Sequence, residues 1–174
     1  MGQVLGEVGL SGATQFPHVH LSVRKDGTVV DPFAPDARTT CGDAPSDTLW
    51  IDPVAFVPGG LVTVGFSDAV PDYGAVKAGT AARVTMSANA PALVVWGFAF
   101  GGRTGDSLTL TIYGPEGEVF NDTQRLDRDQ AQFFRAGGKR TPAGGWTIGD
   151  YTGMVELRRD GAVLDMQTST VTLD

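Results

Sequence analysis

The sequence is poor in the residues that form disulfides, metal sites and membrane anchors. Its 174 residues include one cysteine, Cys41, and two histidines. A single cysteine excludes an intramolecular disulfide, and no base stands near it in sequence to make the thiol reactive. No apolar run reaches the length of about 18 residues that a membrane-spanning helix needs, and no charged and then apolar segment opens the chain. We therefore expect neither a membrane span nor, in this chain, a signal peptide.

Positive charge is also scarce. The chain has 13 lysines and arginines against 20 aspartates and glutamates, a formal net charge of −7. No basic grouping is longer than a dipeptide, and two of these, Arg24-Lys25 and Arg158-Arg159, each lie beside an Asp-Gly step. Nucleic acids and anionic membranes bind clustered lysine and arginine side chains, because these release counterions from the phosphates. The composition therefore argues against a nucleic-acid partner.

Composition divides the chain into three parts. Residues 34–48 are rich in proline and in small and polar residues, and they lack hydrophobic periodicity, which is typical of a linker. We expect a first segment at 1–33, the linker at 34–48 and a second domain at 49–174. With 41% hydrophobic residues, a chain of this length can bury a core.

The second domain has the pattern of a β structure. Leu108, Leu110 and Ile112 alternate with Thr109 and Thr111, which predicts a strand with one buried face. Glycine pairs and Asp-Gly steps between the apolar segments predict tight turns. The predicted strands are 61–66, 82–87, 93–100, 107–113, 118–120, 131–134, 153–158 and 168–173, and the predicted turns are 101–102, 115–117, 137–138 and 160–161.

Many short strands without a convincing helix favour a mainly β fold, an antiparallel immunoglobulin-like sandwich. The step Gly149-Asp150-Tyr151 at the start of a late strand is typical of a tyrosine corner, in which a tyrosine hydroxyl bonds to nearby backbone. A closed barrel is the alternative.

Aromatic residues of this domain have two interpretations. Trp96, Phe98 and Phe100 share one strand face, and core packing is favoured over a platform that stacks on sugars. Phe133 and Phe134 are adjacent, so one of them should face outward and is the better candidate for a recognition surface. The carboxylates are interpreted as ordinary exposed side chains in turns rather than as an acid and base pair or a calcium loop. They are Glu116, Glu118, Asp127 and Asp129.

Both histidines lie in the first segment, two residues apart. On an extended strand His18 and His20 project from one face, while Val19 and Leu21 point to the opposite face and can pack on a core. Such a pair can meet a metal or a substrate, and it can equally be a solvated or hydrogen-bonded pair without metal. A cupin-type site is disfavoured, because Arg24 stands where that site would need a glutamate.

The segment around the histidines resembles the last part of the catalytic domain of lysostaphin-type (LytM-like) zinc endopeptidases, which cut peptide cross-links in peptidoglycan. The resemblance covers about residues 3–33 and rests on an ordered set of motifs. These motifs are the glycine-punctuated stretch 6–9, Ser11-Gly12, Pro17-His18-Val19-His20, and a hairpin from Lys25-Asp26-Gly27 to Val30-Asp31-Pro32.

The resemblance implies that residues 1–33 are a truncated peptidase β-sheet fragment. It implies His20 as a zinc ligand and His18 as the catalytic histidine that helps activate the water or stabilise the oxyanion. The family takes a further histidine and an aspartate from an upstream segment, so zinc is expected only if residues outside this chain complete the site. Carboxylates of this chain are weaker substitutes, namely Asp26, Asp31 and Asp36.

Two functions follow as expectations. In the first, the chain is the carboxyl-terminal portion of a peptidoglycan zinc metalloendopeptidase, inactive by itself, and the resemblance places it in the periplasm or cell envelope with peptidoglycan peptides or an envelope protein as partner. In the second, the chain is a noncatalytic envelope binding module, and residues 1–33 are a degenerate relic of a peptidase.

Overall fold

The structure, a computed structural model, describes residues 3–4, 6–9, 12–13, 18–35, 48–52 and 55–174. The chain forms two compact units, Met1–Phe56 and Val57–Asp174. Most of the predicted linker, including Cys41 and Asp36, lies outside the described residues, as do Ser11 and Pro17.

A two-stranded antiparallel hairpin is the regular structure described in the first unit. Strand β1 is Val23–Lys25 and strand β2 is Thr28–Val30. Asp26 and Gly27, with φ angles of 49° and 80°, connect the two strands. Two consecutive positive φ angles match the right-handed twist of a hairpin, which is why an Asp-Gly step favours this turn. The predicted hairpin is confirmed.

The second unit contains eight strands and one short helix. Helix α1 is Tyr73–Lys77, and the Asp72 carboxylate caps its amino terminus by accepting hydrogen bonds from the Gly74 and Ala75 amides at 2.7 and 3.2 Å. The strands are β3 Gly60–Ser67, β4 Thr85–Met86, β5 Ala92–Gly102, β6 Ser107–Gly114, β7 Gly117–Arg125, β8 Gln130–Arg140, β9 Gly149–Arg159 and β10 Ala162–Leu173.

These strands form a β-sandwich. One sheet has the order β3-β5-β8 and the other has the order β4-β10-β9-β6-β7. Every pairing is antiparallel except that of β4 with β10, where Thr85 and Met86 lie beside Thr172 and Leu173 in parallel. The predicted mainly β fold is confirmed, and the two separate sheets correspond to a sandwich rather than to a closed barrel.

The main core fills the space between the two sheets. Leu108, Leu110 and Ile112 are fully buried there, as the alternation in β6 predicts. Val95 of the three-stranded sheet and Val155 of the five-stranded sheet meet them in the same cluster. This continuous apolar layer is the main source of stability of the second unit.

A second cluster lies on the other face of β5. Trp96 and Phe98 are 1% and 5% exposed, and Val76 of helix α1 packs on them. The predicted core packing is confirmed for Trp96 and Phe98, but they lie outside the sandwich interior, under a third layer that α1 provides. Phe100 is only partly buried and belongs to neither cluster. Phe133 faces the main core, and Phe134 faces the outer cluster, where its ring stacks on Tyr73 at 5.2 Å.

Glycine pairs explain several differences from the predicted elements. Gly137 and Gly138 lie inside β8 opposite Val95 and Val94, so the predicted turn at 137–138 is wrong. A Cβ at 137 would lie 2.8 Å from the Phe120 ring, and a Cβ at 138 would clash with the Leu93 carbonyl oxygen. These glycines therefore permit close approach of backbone and ring rather than a reversal.

The other boundaries shift for related reasons. The predicted turn at 101–102 belongs to the end of β5, where Gly101 has a φ of 66°. The predicted strand 82–87 is reduced to β4 and an isolated bridge between Arg83 and Phe66. The strands predicted at 118–120 and 131–134 extend further than their apolar residues, because cross-strand hydrogen bonds continue through the polar positions of β7 and β8.

Side chains of β10 join the two sheets at the edge strand β3. A register shift in the β9–β10 pairing lies between Val163 and Asp165. The Asp165 carboxylate accepts a hydrogen bond from the Leu61 amide at 2.8 Å, and the Gln167 amide group donates one to the Leu61 carbonyl oxygen at 2.8 Å. These two side chains occupy backbone groups of β3 that face away from β5.

Candidate functional site

His18 and His20 precede the hairpin and lie outside its two strands. Strand β1 begins only at Val23, and both histidines are exposed. Val19 and Leu21 are 78% and 59% exposed, so the predicted packing of these residues on a core is wrong.

The pairing stops at Val23 because its partner strand ends. Val23 lies opposite Val30, and the chain then turns at Asp31-Pro32. The Asp31 carboxylate accepts a hydrogen bond from the Phe33 amide at 2.8 Å, and the Asp31 carbonyl oxygen accepts one from the Ala34 amide at 3.1 Å. Proline has no amide hydrogen for a ladder, so residues preceding Val23 gain no partner from this side.

The histidine pair does not by itself fit a zinc ion. A catalytic zinc has three protein ligands and one open position. In the part of the chain that the structure describes, no three or more His, Cys, Asp or Glu side chains form a group that could hold a metal. Asp26 occupies the hairpin turn and Asp31 is engaged in the Asp-Pro turn, so neither substitutes for a ligand.

The Asp-Pro turn is also where the described stretches 18–35 and 48–52 of the first unit meet. The Pro32 carbonyl oxygen accepts hydrogen bonds from the Leu49 amide at 2.8 Å and from the Thr48 hydroxyl at 3.2 Å. The rings of Phe33 and Trp50 lie 5.6 Å apart. The Asp31-Pro32 turn therefore connects the hairpin to residues 48–50. The sequence motif predicts only that the hairpin ends there.

A buried ion pair is the strongest electrostatic feature of the second unit. Asp106, 2% exposed, accepts two hydrogen bonds from Arg159, Nε to Oδ1 at 2.9 Å and Nη2 to Oδ2 at 2.7 Å. Arg159 also donates to the Gly101 carbonyl oxygen at 2.7 Å, and the Arg103 amide donates to Asp106 at 2.8 Å. Burial by itself would raise the pKa of Asp106, but the hydrogen bond and charge of Arg159 lower it overall. These contacts satisfy both charges within the protein.

Two of the four turn carboxylates considered in the sequence as a possible acid and base pair, Asp129 and Glu116, accept hydrogen bonds from neighbouring turns. Asp129 accepts hydrogen bonds from the Thr104 amide at 2.7 Å and the Thr104 hydroxyl at 3.0 Å, which lower its pKa. Glu116 accepts one from the Thr147 hydroxyl at 3.1 Å. These hydrogen bonds connect neighbouring turns.

Tyr151 forms the predicted tyrosine corner. Its hydroxyl donates to the Thr147 carbonyl oxygen at 2.9 Å, and its ring meets Trp146 edge-on at 6.2 Å. Burial, with a smaller contribution from Glu116, raises the pKa of the phenol. The contact fixes the loop that precedes β9, as in immunoglobulin-like sandwiches.

Two open depressions on the second unit were not predicted from the sequence. The larger, of about 640 Å³, is a mainly apolar groove beside β8, and its lining also includes the charged residues Asp68, Lys139 and Arg140. The smaller, of about 420 Å³, is polar and contains Arg125 and Arg158. Arg158 is already paired with Glu156. In the sequence, the signal for the larger groove is the glycine pair Gly137-Gly138 followed directly by the basic pair Lys139-Arg140, because all four residues line it.

Comparisons with known proteins do not identify a family for the chain. No family model and no curated protein matches the chain. Among solved structures, a chain assigned as a beta-galactosidase from Bacteroides fragilis is similar with 15% identity and a TM-score of 0.45, over 65% of this chain and 17% of that chain. Among the described residues, no helix has both the length and the apolar character needed to cross a membrane.

Proposed function

We propose that residues 1–33 are the carboxyl-terminal part of a lysostaphin-type zinc endopeptidase domain and that the β-sandwich is its accessory module. The observation that carries the proposal is the order of elements around the histidines. The exposed pair His18 and His20 leads directly into a hairpin with an Asp26-Gly27 turn, and a hydrogen-bonded Asp31-Pro32 turn follows. This order is the one that the family resemblance implies.

In this proposal His20 is a zinc ligand and His18 is the proton-handling histidine beside it. When bound, zinc lowers the pKa of a coordinated water to about 7. Since the described residues do not form a three-ligand group, the remaining histidine and aspartate come from outside this chain, and we assign no hydrolytic step to this chain alone. The proposed substrates are peptidoglycan peptides, and the proposed location is the periplasm or cell envelope.

The test compares this chain with one extended by the coding sequence that precedes it in the gene. Zinc is measured by elemental analysis, and hydrolysis is measured as free amino groups released from purified peptidoglycan. For the extended chain we expect one zinc per chain, loss of zinc in His20→Ala, and retention of zinc in His18→Ala with hydrolysis slowed by at least about 100-fold. Val19→Ala is the matched control, because Val19 lies between the histidines and is exposed.

Two results would overturn the assignment. One is hydrolysis by the 174-residue chain that survives both histidine substitutions. The other is an extended chain that retains zinc after His20→Ala.

A noncatalytic envelope binding module is the second candidate. It is favoured by the contrast between the described histidine stretch, whose side chains are exposed, and the well-packed second unit. In that case the extended chain neither binds zinc nor hydrolyses peptidoglycan, whereas the 174-residue chain still cosediments with peptidoglycan sacculi.

A further inference from the structure

Strand β8 is an edge strand whose backbone has one side free of a partner strand. Among the strands that the structure describes, it pairs with β5 alone, in the three-stranded sheet. In an antiparallel pair, alternate residues direct their amide and carbonyl groups toward the partner and away from it. The Thr141 amide bonds to the Pro91 carbonyl oxygen, whereas the Ala136 carbonyl oxygen accepts from Gln124 of the other sheet. Ala136, Gly138 and Arg140 therefore direct their backbone groups outward.

Side chains block the middle of this edge. Arg135 donates from Nη1 to the Phe134 carbonyl oxygen at 2.9 Å, and Gln124 donates from Nε2 to the Ala136 carbonyl oxygen at 3.1 Å. Such blocking is one way in which sheet edges avoid pairing with other chains. The opposite edge of the same sheet, β3, is occupied at Leu61 by side chains of β10.

The last part of β8 is left open. Within the described residues, no hydrogen bond is made to the outward backbone groups of Gly138 and Arg140. The apolar groove of about 640 Å³ runs beside them, with Val70, Pro91 and Val94 among its lining residues. An open edge beside an apolar groove is the arrangement by which proteins add an extended peptide as a further strand.

Charge at the groove distinguishes the possible occupants. Lys139 and Arg140 are exposed, and among the described residues neither has an ion-pair partner, while Asp68 lies elsewhere on the rim. Two copies of the chain paired through this edge would bring four cations together, and like charges on paired strands are destabilising. An acidic residue in the added strand would instead be attracted to these two cations.

We propose that the open edge Gly138–Arg140 of β8 binds an extended peptide segment of a partner protein, with an apolar side chain in the adjacent groove and an acidic side chain at Lys139 and Arg140. The backbone groups of Gly138 and Arg140 form the main-chain hydrogen bonds. This binding does not depend on the proposed peptidase origin of residues 1–33.

The probe is the synthetic peptide Ac-Lys-Thr-Val-Thr-Val-Glu-NH2, titrated into the ¹⁵N-labelled 174-residue chain and followed by amide chemical shifts. We expect saturable shifts at the Gly138 and Arg140 amides. A second peptide carries N-methyl groups on both valines, which remove two amide hydrogens but keep the side chains. A third carries N-methyl groups on both threonines, whose amides point to the opposite edge of the peptide strand. Because only one edge of the peptide strand pairs with β8, one of the two N-methylated peptides should lose binding and the other should retain it.

Variants of the chain separate the contribution of charge to binding from the contribution of backbone hydrogen bonds. Lys139→Glu should weaken binding by about fivefold or more, because it replaces an attraction with a repulsion. Arg140→Pro removes an outward amide hydrogen and should weaken binding further than Arg140→Ala, which removes only the charge. Arg125→Glu is the matched control, since Arg125 is an exposed cation on β7 of the other sheet, and should leave binding unchanged.

The proposal is overturned if millimolar peptide gives no saturable shift, if both N-methylated peptides bind as well as the unmodified one, or if the shifts map to another surface. Sedimentation of the free chain as a dimer that Arg140→Pro abolishes would instead assign this edge to self-association. If Arg140→Pro does not fold, the two N-methylated peptides still decide the question with the unaltered protein.

Discussion

The Arg159 guanidinium donates two hydrogen bonds to the Asp106 carboxylate, at 2.7 and 2.9 Å. The pair lies where β9 ends, beside the turn between β5 and β6. Only 2% of Asp106 is exposed. Removing one member of such a pair leaves the other buried without compensation, which costs more than the pair itself contributes.

Asp106→Asn should therefore lower the free energy of unfolding by about 3 kcal/mol. Glu156→Gln is the control, because it removes one member of the more exposed Glu156–Arg158 pair and should cost less than about 1 kcal/mol. Urea unfolding followed by tryptophan fluorescence measures both. Equal losses in the two variants would contradict the role given to burial.

The same pair predicts how stability depends on pH. The pKa of Asp106 is lower in the folded protein than its ordinary value. Its stabilisation is therefore fully present above the unfolded-state pKa of about 3.9 and is lost as the pH falls through the lower folded-state pKa. Between about pH 6 and about pH 2, Asp106→Asn should lose less stability than the unaltered protein. A parallel decline of the two curves would show that other carboxylates dominate.

Tyr151→Phe removes the hydroxyl that binds the Thr147 carbonyl oxygen while keeping the ring. We expect a loss of about 1 kcal/mol, the usual net contribution of one hydrogen bond. Tyr113→Phe is the matched control on β6, where the ring is more exposed and the change should stay within about 0.5 kcal/mol. Thermal unfolding of both variants measures the difference.

Gly138→Ala should be among the most destabilising single substitutions in the sandwich. The new methyl group would collide with the Leu93 carbonyl oxygen in a paired strand, and we expect a loss of about 3 kcal/mol or more. Gly161→Ala has open space but a φ of 83°, so it should cost only about 1 kcal/mol. A folded Gly138→Ala with unchanged stability would mean that β8 lies farther from β5 than described.

Hydrogen exchange should distinguish the two units. In the described part of Met1–Phe56, Ala34 is the only buried hydrophobic residue, whereas β5 is buried on both faces. Amides of the β1–β2 hairpin should exchange much faster than those of Val95 and Trp96, because a hairpin without a packed face opens easily. Equal protection of the two sets would indicate that the hairpin has a packing partner.

The sequence predicts those features that depend on local pattern. Leu108, Leu110 and Ile112 indicate a half-buried strand because side chains alternate across a sheet, and Asp26-Gly27 indicates a hairpin because its φ angles favour that turn. The tyrosine corner at Tyr151 is local in the same sense.

Features that depend on contacts between residues distant in the sequence cannot be predicted from local sequence pattern. Gly137-Gly138 has the composition of a turn, but the Phe120 ring and the Leu93 carbonyl oxygen decide its place inside β8. Trp96 suggests the sandwich interior, yet helix α1 buries it on the opposite face. The extent of the strand near His18 depends on whether its neighbour continues past Val30, which the turn at Asp31 prevents.

The parallel pair of β4 and β10 has a mechanical consequence. Tension applied to the amino-terminal side of β4 and to the end of β10 pulls the two strands in opposite directions along their length, because they run the same way. The hydrogen bonds from the Thr172 amide to Val84 and from the Asp174 amide to Met86 are then loaded together, in shear, instead of breaking one after another. We therefore expect this short contact to make the carboxyl-terminal end of the sandwich more resistant to tension in this direction than an antiparallel contact of the same length.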